Sequence, residues 1–342
     1  MVFAEMDAHG HEQVTYLMDD ATGLRSIVAI HDTTLGPSLG GTRLLPYETE
    51  AAALADVLRL SGAMTYKAAA ADLELGGGKA VIIADPDDKT PALLRAYGRG
   101  VDWLGGRYIT SVDINTGVED MEHVAAATEH VVGREDGLGD PSPVTATGVH
   151  RGMRACAEAV YGDPDLGDRR VVIQGVGKVG RDLARRLADD GAEVVVSDID
   201  EAKVEAFADE HGFDVVAPDG VYDEPADIFA PCAVGGVIDD DTVDRLAVDI
   251  VAGGANNVLA ERRHAEALAA REVLYAPDYV INAGGLITVA TEAVGGTKAE
   301  AIEAAERIGD RLLGMIEDAA DQGTTVLEAA DRYAEARIEA AR

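Results

Sequence analysis

Residues 169–200 read RRVVIQGVGKVGRDLARRLADDGAEVVVSDID, and they carry the strongest fold signal in the chain. The β-branched run VVIQ is a strand, and it runs into Gly175-Val176-Gly177-Lys178-Val179-Gly180, after which helical spacing begins at once. The glycines of such a turn provide a sharp bend, room for the backbone to approach a pyrophosphate, and close packing of helix on strand. The helix N-terminus adds unpaired N–H groups and the positive end of its dipole. A second strand, EVVVSD, ends in Asp198, 23 residues beyond Gly175, against the usual spacing of about 20 for an acidic residue that binds a ribose. An aspartate there accepts from the ribose 2′-hydroxyl and repels a 2′-phosphate, so the segment predicts a Rossmann domain that binds NAD rather than NADP. The alternative is an unrelated βα turn followed by a chance match at Asp198, since acidic residues are frequent in this chain.

Around this segment, 342 residues accommodate two domains of ordinary size. The chain has 63 acidic and 29 basic residues, a net charge of −34. A surface so acidic repels nucleic acid and anionic membranes, which removes both as expected partners. It also repels itself unless salt screens it, so a salt-rich cytoplasm, as in halophiles, is expected; an ordinary acidic protein is the alternative. Cys156 and Cys232 form no C-x-x-C pattern and imply neither a disulfide framework nor a zinc site. The N-terminal MVFAEMDAHGHEQ lacks the basic and apolar regions of a signal peptide. No apolar run is long enough to span a membrane. A cytoplasmic location follows as an expectation.

The first part of the chain alternates strand and helix, an α/β pattern. SIVAIHD (26–32) reads as a strand entering the glycine-rich loop LGPSLGGTR (35–43), followed by helical spacing over 48–64. KAVIIADP is a buried strand closed by Pro86, the stretch 91–104 is helical, and GRYITSVDIN is another strand. GREDGLGDPSP (133–143) breaks the periodicity and reads as the linker, with a helix over 145–160 after it. DIFAPCA, DIVAGGA and LYAPDYVINAGG read as further strands, and the last forty residues as helix. The domain expectation is 1–139 for substrate, catalysis and oligomerisation, 140–321 for NAD, and a terminal helix at about 322–342.

LELGGGKAVI (73–82) resembles a phosphate loop only superficially. That loop needs a glycine where Leu73 stands and a hydroxyl where Ala80 stands. Lys79, Lys67 in MTYKAAAADL and Asp113 in TSVDINTG remain as candidate chemistry. A desolvated amine near another cation has a lowered pKa and can serve as a base. The ordinary alternative is a surface lysine whose stem lies along apolar neighbours. Among the histidines, His9 and His11 read as part of an exposed tail. His123, His130, His150 and His264 fall on expected helices without partners at ligand spacing, and no metal site is expected.

GPSLGGTR, MTYKAAAADLELGGGKAVI, GRYITSVDI, DPSPVTA, the glycine fingerprint, APCAVGG, ANNVL and APDYVINAGG occur in that order. In this the chain resembles the Glu/Leu/Phe/Val amino-acid dehydrogenases, most nearly the leucine and phenylalanine branches, over roughly residues 23–337. The resemblance implies an N-terminal α/β domain, a Rossmann domain and a cleft between them that closes over substrate. It implies that Lys79 activates water and stabilises a carbinolamine, that Lys67 pairs with the substrate α-carboxylate, and that Asp113 exchanges protons with the amine and the water. The glycines before Lys79 are then expected to clear space for substrate. The resemblance extends the cofactor set to Thr145, Ile199, Cys232, Ala233, Asn256 and Asn282, and the substrate set to Gly40, Asn256 and Asn257. The implied reaction converts an L-amino acid, NAD and water to a 2-oxo acid, ammonium and NADH, in a homo-oligomer.

In glutamate-specific members a lysine precedes the GG of the first motif; here that residue is Leu39, which disfavours a side-chain carboxylate. Leu286 and Val289 are the matching apolar positions near the nicotinamide. Ser111 stands where the leucine enzymes carry alanine and the phenylalanine enzymes glycine, and Leu286 leans toward the phenylalanine type. Asn115 replaces a glycine or small residue. Branched-chain substrates rank first and an aromatic one second. The competing classes are a binding module that has lost catalysis, and a malic-enzyme-like NAD enzyme, for which no carboxylate cluster is evident.

Overall fold

A computed structural model describes residues 2–342; Met1, the first residue of the expected N-terminal domain, lies outside the described residues. The chain divides into two compact units. Unit 1 takes the described residues up to Gly139, Thr288–Lys298 and Ala334–Arg342, and unit 2 takes Asp140–Ile287 and Ala299–Tyr333.

Unit 1 runs α1 (Val2–His9), β1 (Gln13–Asp19), β2 (Leu24–Asp32), β3 (Ser38–Leu45), α2 (Glu50–Ala70), β4 (Gly76–Ile83), α3 (Pro91–Asp102), β5 (Tyr108–Val112) and α4 (Val118–Ala125). Thr49 and Thr90 cap α2 and α3 by accepting from Ala52 N and Leu93 N, and Pro91 sits where a helix has no use for an N–H. The sheet order is β1-β2-β4-β3-β5, antiparallel across β1, β2 and β4 and parallel across β4, β3 and β5. Successive strand residues face opposite ways, so β2 sends Val28 and Ile30 toward α3 (Leu94, Tyr97, Val101) and Ile27 and Ala29 toward α2 (Ala53, Val57, Leu58). The sheet is therefore covered on both faces.

Unit 2 runs α5 (Ser142–Tyr161), β6 (Arg170–Gln174), α6 (Lys178–Asp190), β7 (Glu193–Ser197), α7 (Glu201–His211), β8 (Asp214–Val215), β9 (Ile228–Pro231), β10 (Ile250–Val251), α8 (His264–Ala270), β11 (Leu274–Tyr275) and α9 (Asp278–Ile281). In chain order there follow α10 (Gly284–Ala293), which passes from unit 2 to unit 1 after Ile287, α11 (Lys298–Glu306), in unit 2 from Ala299 on, α12 (Ile308–Gln322) of unit 2, and α13 (Val326–Ala340), which passes to unit 1 at Ala334. The six strands are parallel in the order β11-β10-β9-β6-β7-β8. This is the doubly wound arrangement, and its order reverses between β6 and β9, where such sheets bind dinucleotides. Within unit 2, α13 contributes Leu327 to the core; within unit 1 its Ala334 and Ile338 pack on Leu35 and Ala69, and Arg337 donates to the Leu73 carbonyl at 2.8 Å.

Several expectations need correction. SLGGTR is strand β3, not loop, because its glycines serve close approach between strands rather than a turn. The helix expected over 48–64 continues to Ala70 and carries Lys67 in its last turn. Only Leu274 and Tyr275 of LYAPDYVINAGG are strand, since Pro277 ends the ladder and the chain turns into α9 and α10. His11 is no exposed tail residue: it is buried, Nε2 lies 2.7 Å from Ser61 Oγ, and its ring packs edge-on to His31. His130 lies outside any helix. Among the described residues no cluster of His, Cys, Asp and Glu could hold a metal, and no helix is long and apolar enough to cross a membrane.

Candidate functional site

The glycines of LELGGGKAVI lie in β4, the third strand of the unit 1 sheet. A Cβ on Gly76 would sit 2.0 Å from the Asp32 carbonyl oxygen, one on Gly77 2.1 Å from Thr65 Oγ1, and one on Gly78 2.7 Å from the Tyr108 ring. The expectation that they clear space for substrate is corrected: β2, α2 and Tyr108 fill it. Gly77 lets α2, which carries Lys67, pack directly on the strand that carries Lys79. Lys67 is half-buried.

Lys79 and Asp113 meet although their strands are not neighbours. Between β4 and β5 lies β3, where Thr42 pairs with Ala80 and Gly41 with Ser111, so Gly41 is level with Lys79. A Cβ on Gly41 would lie 2.3 Å from the Val112 carbonyl oxygen and 2.9 Å from Asp113 Cβ; one on Gly40 would lie 1.8 Å from the Gly78 carbonyl oxygen. The bare middle strand lets Lys79 Nζ form an ion pair with Asp113 Oδ2, the side chains being 9% and 14% exposed. Lys79 thus has an anion as a charge partner.

Asp113 sits at the head of a tight loop. Its N–H donates to Thr116 Oγ1 at 2.9 Å, and that hydroxyl donates to the Thr42 carbonyl at 2.7 Å. Ile114 N–H donates to Asp113 Oδ1 at 2.6 Å. Asn115 has φ +59°, a left-handed conformation that asparagine tolerates, and its side-chain amide donates to the Leu44 carbonyl. Asparagine is thus compatible with the turn at this position. Burial opposes ionisation of Asp113, but Lys79, the Ile114 N–H and Arg43 outweigh it and hold its carboxyl below the usual range. Leu39 and Ser111 are buried on β3 and β5.

In unit 2 the fingerprint glycines divide their work. Gly175 has φ +100° and abuts Ala233; a Cβ on Gly180 would lie 2.0 Å from the Gly175 carbonyl oxygen, so the helix packs directly on the turn. A Cβ on Gly177 would meet no protein atom within 4 Å, which leaves its backbone open to a phosphate, at the N-cap of α6. This cradle fits the pyrophosphate of NAD. Lys178 is exposed and pairs with Asp140, Val176 is buried beneath the loop, and Val179 lies beside Gly254. Asp198 Oδ2 accepts from Val176 N–H at 2.8 Å and from Lys203 Nζ at 2.9 Å. Burial opposes its ionisation, and Lys203 with the Asp200 and Val176 N–H groups lowers its pKa regardless. Ile199 is 90% exposed. The Cys232 thiol, pushed up to about 11 by burial, accepts from Gly254 N–H.

Asn282 and Asn256 come together: the Asn282 amide donates to Asn256 Oδ1 at 3.0 Å and to the Ala255 carbonyl at 2.9 Å. Asn257, φ +53°, is exposed, and its N–H donates to the Asp278 carboxylate. Thr145 is buried on α5, where a Cβ on Gly284 would strike its Cα at 2.5 Å. Leu286 is buried and Val289 half-buried on α10.

Arg43, Asp56 and Thr116 escaped the sequence reading. The signal for Arg43 was its place two residues beyond Gly41, on the same face of an otherwise uncharged strand; the other two are legible only from contacts.

Comparison with known proteins accords with this geometry. Residues 11–130 match the Glu/Leu/Phe/Val dehydrogenase dimerisation domain, and residues 197–342 the Glutamate/Leucine/Phenylalanine/Valine dehydrogenase domain. The chain is 46% identical over 342 residues to the leucine dehydrogenase of Bacillus subtilis, covering 99% of this chain and 94% of that one. It is equally 46% identical to the phenylalanine dehydrogenase of Caldalkalibacillus thermarum, over 96% of this chain and 91% of that one. The crystal structure of L-tryptophan dehydrogenase from Nostoc punctiforme superposes with a TM-score of 0.92 at 44% identity, covering 100% of this chain and 99% of that one. With both domain models matched and near-complete coverage at this identity, the chain belongs to the Glu/Leu/Phe/Val family of NAD-dependent amino-acid dehydrogenases.

Proposed function

We propose that the protein catalyses the reversible oxidative deamination of an apolar, branched-chain L-amino acid, with leucine, valine and isoleucine as its substrates. The observation that carries the reading is the buried Lys79–Asp113 pair across the bare strand β3. In the balanced reaction the amino acid, NAD⁺ and water yield the 2-oxo acid, ammonium, NADH and a proton. Bound NAD supplies the acceptor for the hydride from the substrate α-carbon, held by the Gly175–Gly180 loop and Asp198.

The residues of unit 1 supply the rest. Lys67 holds the α-carboxylate as a fixed cation. The ammonium of Lys79 stabilises negative charge that develops on oxygen as water adds to the iminium carbon. Asp113 takes the proton that this water loses and returns it to the departing amine. Asn256 and Asn282, already hydrogen-bonded to each other, present amides that orient substrate and nicotinamide.

The apolar character of Leu39, Leu286 and Val289 supports an apolar side chain, since a substrate carboxylate against them would be left unpaired. A second reading, an aromatic substrate, is favoured by the equal identity to phenylalanine and tryptophan dehydrogenases. A single methylene shifts preference by only about 1–3 kcal/mol, so a few contacts separate the two. We also read the chain as a homo-oligomer of a salt-rich cytoplasm, from the dimerisation-domain match and the net charge of −34. The test is NADH formation across leucine, valine, isoleucine, phenylalanine, tryptophan and glutamate at several KCl concentrations. Silence on all would refute the function; a higher kcat/KM for phenylalanine or tryptophan than for leucine would refute the branched-chain assignment.

A further inference from the structure

We propose that Arg43 is a positioning residue that keeps the Asp113 carboxylate ionised when Lys79 turns toward the substrate, with Asp56 as the anchor that aims its guanidinium. The inference rests on the reading of Asp113 as the proton-exchanging group.

Arg43 lies on β3 two residues beyond Gly41, and side chains two apart along a strand share a face. Its guanidinium has two anions at hand. Nη1 donates to Asp56 Oδ2 at 2.9 Å, while Nε stands 3.7 Å from Asp113 Oδ1. That Nε is buried and has no hydrogen-bond partner, and the carboxylate 3.7 Å from it is the one the chemistry uses. The anchor is itself fixed: Tyr47 Oη donates to Asp56 Oδ2 at 2.7 Å and Arg59 Nη2 to Asp56 Oδ1 at 2.8 Å. Arg43 and Asp113 are 17% and 14% exposed at their side chains, so solvent screens the pair weakly.

Asp113 thus lies between two cations that differ in kind. Lys79 is flexible, holds a single charge centre and is required at the reacting oxygen. Arg43 is pinned to α2 through Asp56 and cannot be deprotonated in the working pH range. While Lys79 pairs with Asp113, Arg43 is a second, weaker partner. Once the ammonium moves to the substrate, Arg43 is the cation left beside the carboxylate. Without it, a buried Asp113 loses the compensation for its desolvation and takes up a proton, which removes its ability to accept one from water.

The experiment uses the full-length oligomer with ¹³C-labelled aspartate. Infrared difference spectra against Asp113→Asn give the Asp113 carboxyl titration in otherwise intact, Arg43→Gln and Arg43→Lys proteins, each with a bound non-reactive 2-oxo acid analogue. The midpoint is expected to rise by about one pH unit in Arg43→Gln, within the range set by an opposite charge at this separation. Arg43→Lys restores most of it. The kcat at pH 7 falls about tenfold in Arg43→Gln while KM changes less, because the loss is in proton transfer rather than binding. If Arg43→Gln does not fold, Arg43→Met supplies the same comparison. An unchanged midpoint in the charge-free variant, or an equal shift in Arg43→Lys, overturns the proposal. Asp113→Asn separates this failure from the underlying one: an active Asp113→Asn enzyme refutes the role of Asp113 itself, whereas an inactive one with an unmoved Arg43→Gln midpoint refutes only Arg43.

Discussion

The two charges of the buried pair are not equivalent, and their removal is expected to have unequal effects on stability. Replacing Asp113 by Asn leaves the ammonium of Lys79, 9% exposed, with no anion, and takes the Asp113 carboxylate from beside the unbonded Nε of Arg43. Breaking a buried pair in this way costs about 3–5 kcal/mol, mostly the uncompensated charge that remains. Replacing Lys79 by Gln leaves Asp113 with Arg43 at 3.7 Å and with the Ile114 N–H at 2.6 Å. The carboxylate is then still partly compensated, and the expected loss is about 1–3 kcal/mol, that of a buried group deprived of one partner. For a domain of this size the gap of about 2 kcal/mol corresponds to about 4–8 °C in Tm. Thermal unfolding followed by circular dichroism, at one protein and one salt concentration, measures it. A Lys79→Gln variant as unstable as Asp113→Asn, or less stable, would refute the assignment of Arg43 as a residual partner.

Three further outcomes are expected from the same geometry. Gly177→Ala should fold with an unchanged Tm, since its Cβ meets no protein atom, yet raise KM for NAD tenfold or more (roughly 1.4 kcal/mol); Gly180→Ala, which would overlap the Gly175 carbonyl at 2.0 Å, should lower Tm. Equal Tm values for the two would contradict the division of labour among the glycines. Burial, with help from His31 and His9, lowers the His11 pKa to about 4, so between about pH 6.5 and 4 the unfolded chain binds a proton that the folded chain does not. Stability must therefore fall as pH falls through that window, and His11→Asn should show a shallower fall of Tm than the natural protein; an identical slope removes His11 as a cause. Finally, raising KCl from about 0.1 M to about 1 M shortens the screening length from about 10 Å to about 3 Å. With a net charge of −34 this should raise Tm, and a flat or falling Tm would count against a salt-adapted protein.

The Rossmann half is legible from the amino-acid order alone, for a local reason. A strand, a glycine turn, a helix and an acid are contiguous, and the roles of Gly175, Gly177 and Gly180 follow from backbone geometry within six residues. Lys79 and Asp113 also stand out in the sequence, because each sits beside an apolar, β-branched run. What no short segment holds emerges only on folding. β3 lies between β4 and β5 in the sheet though it precedes both in the chain, so nothing near Lys79 in sequence announces that Gly41 clears its path to Asp113. The glycines of β3 look like a loop by composition, because glycine serves turns and close strand approach equally well, and only the neighbours distinguish the two. The same is true of Arg43, whose guanidinium gains its meaning from Asp56 on α2 and Asp113 after β5. Local hydrogen-bond geometry is written in adjacent residues, while the pairing of charges across a sheet depends on strand order, which is a property of the folded chain.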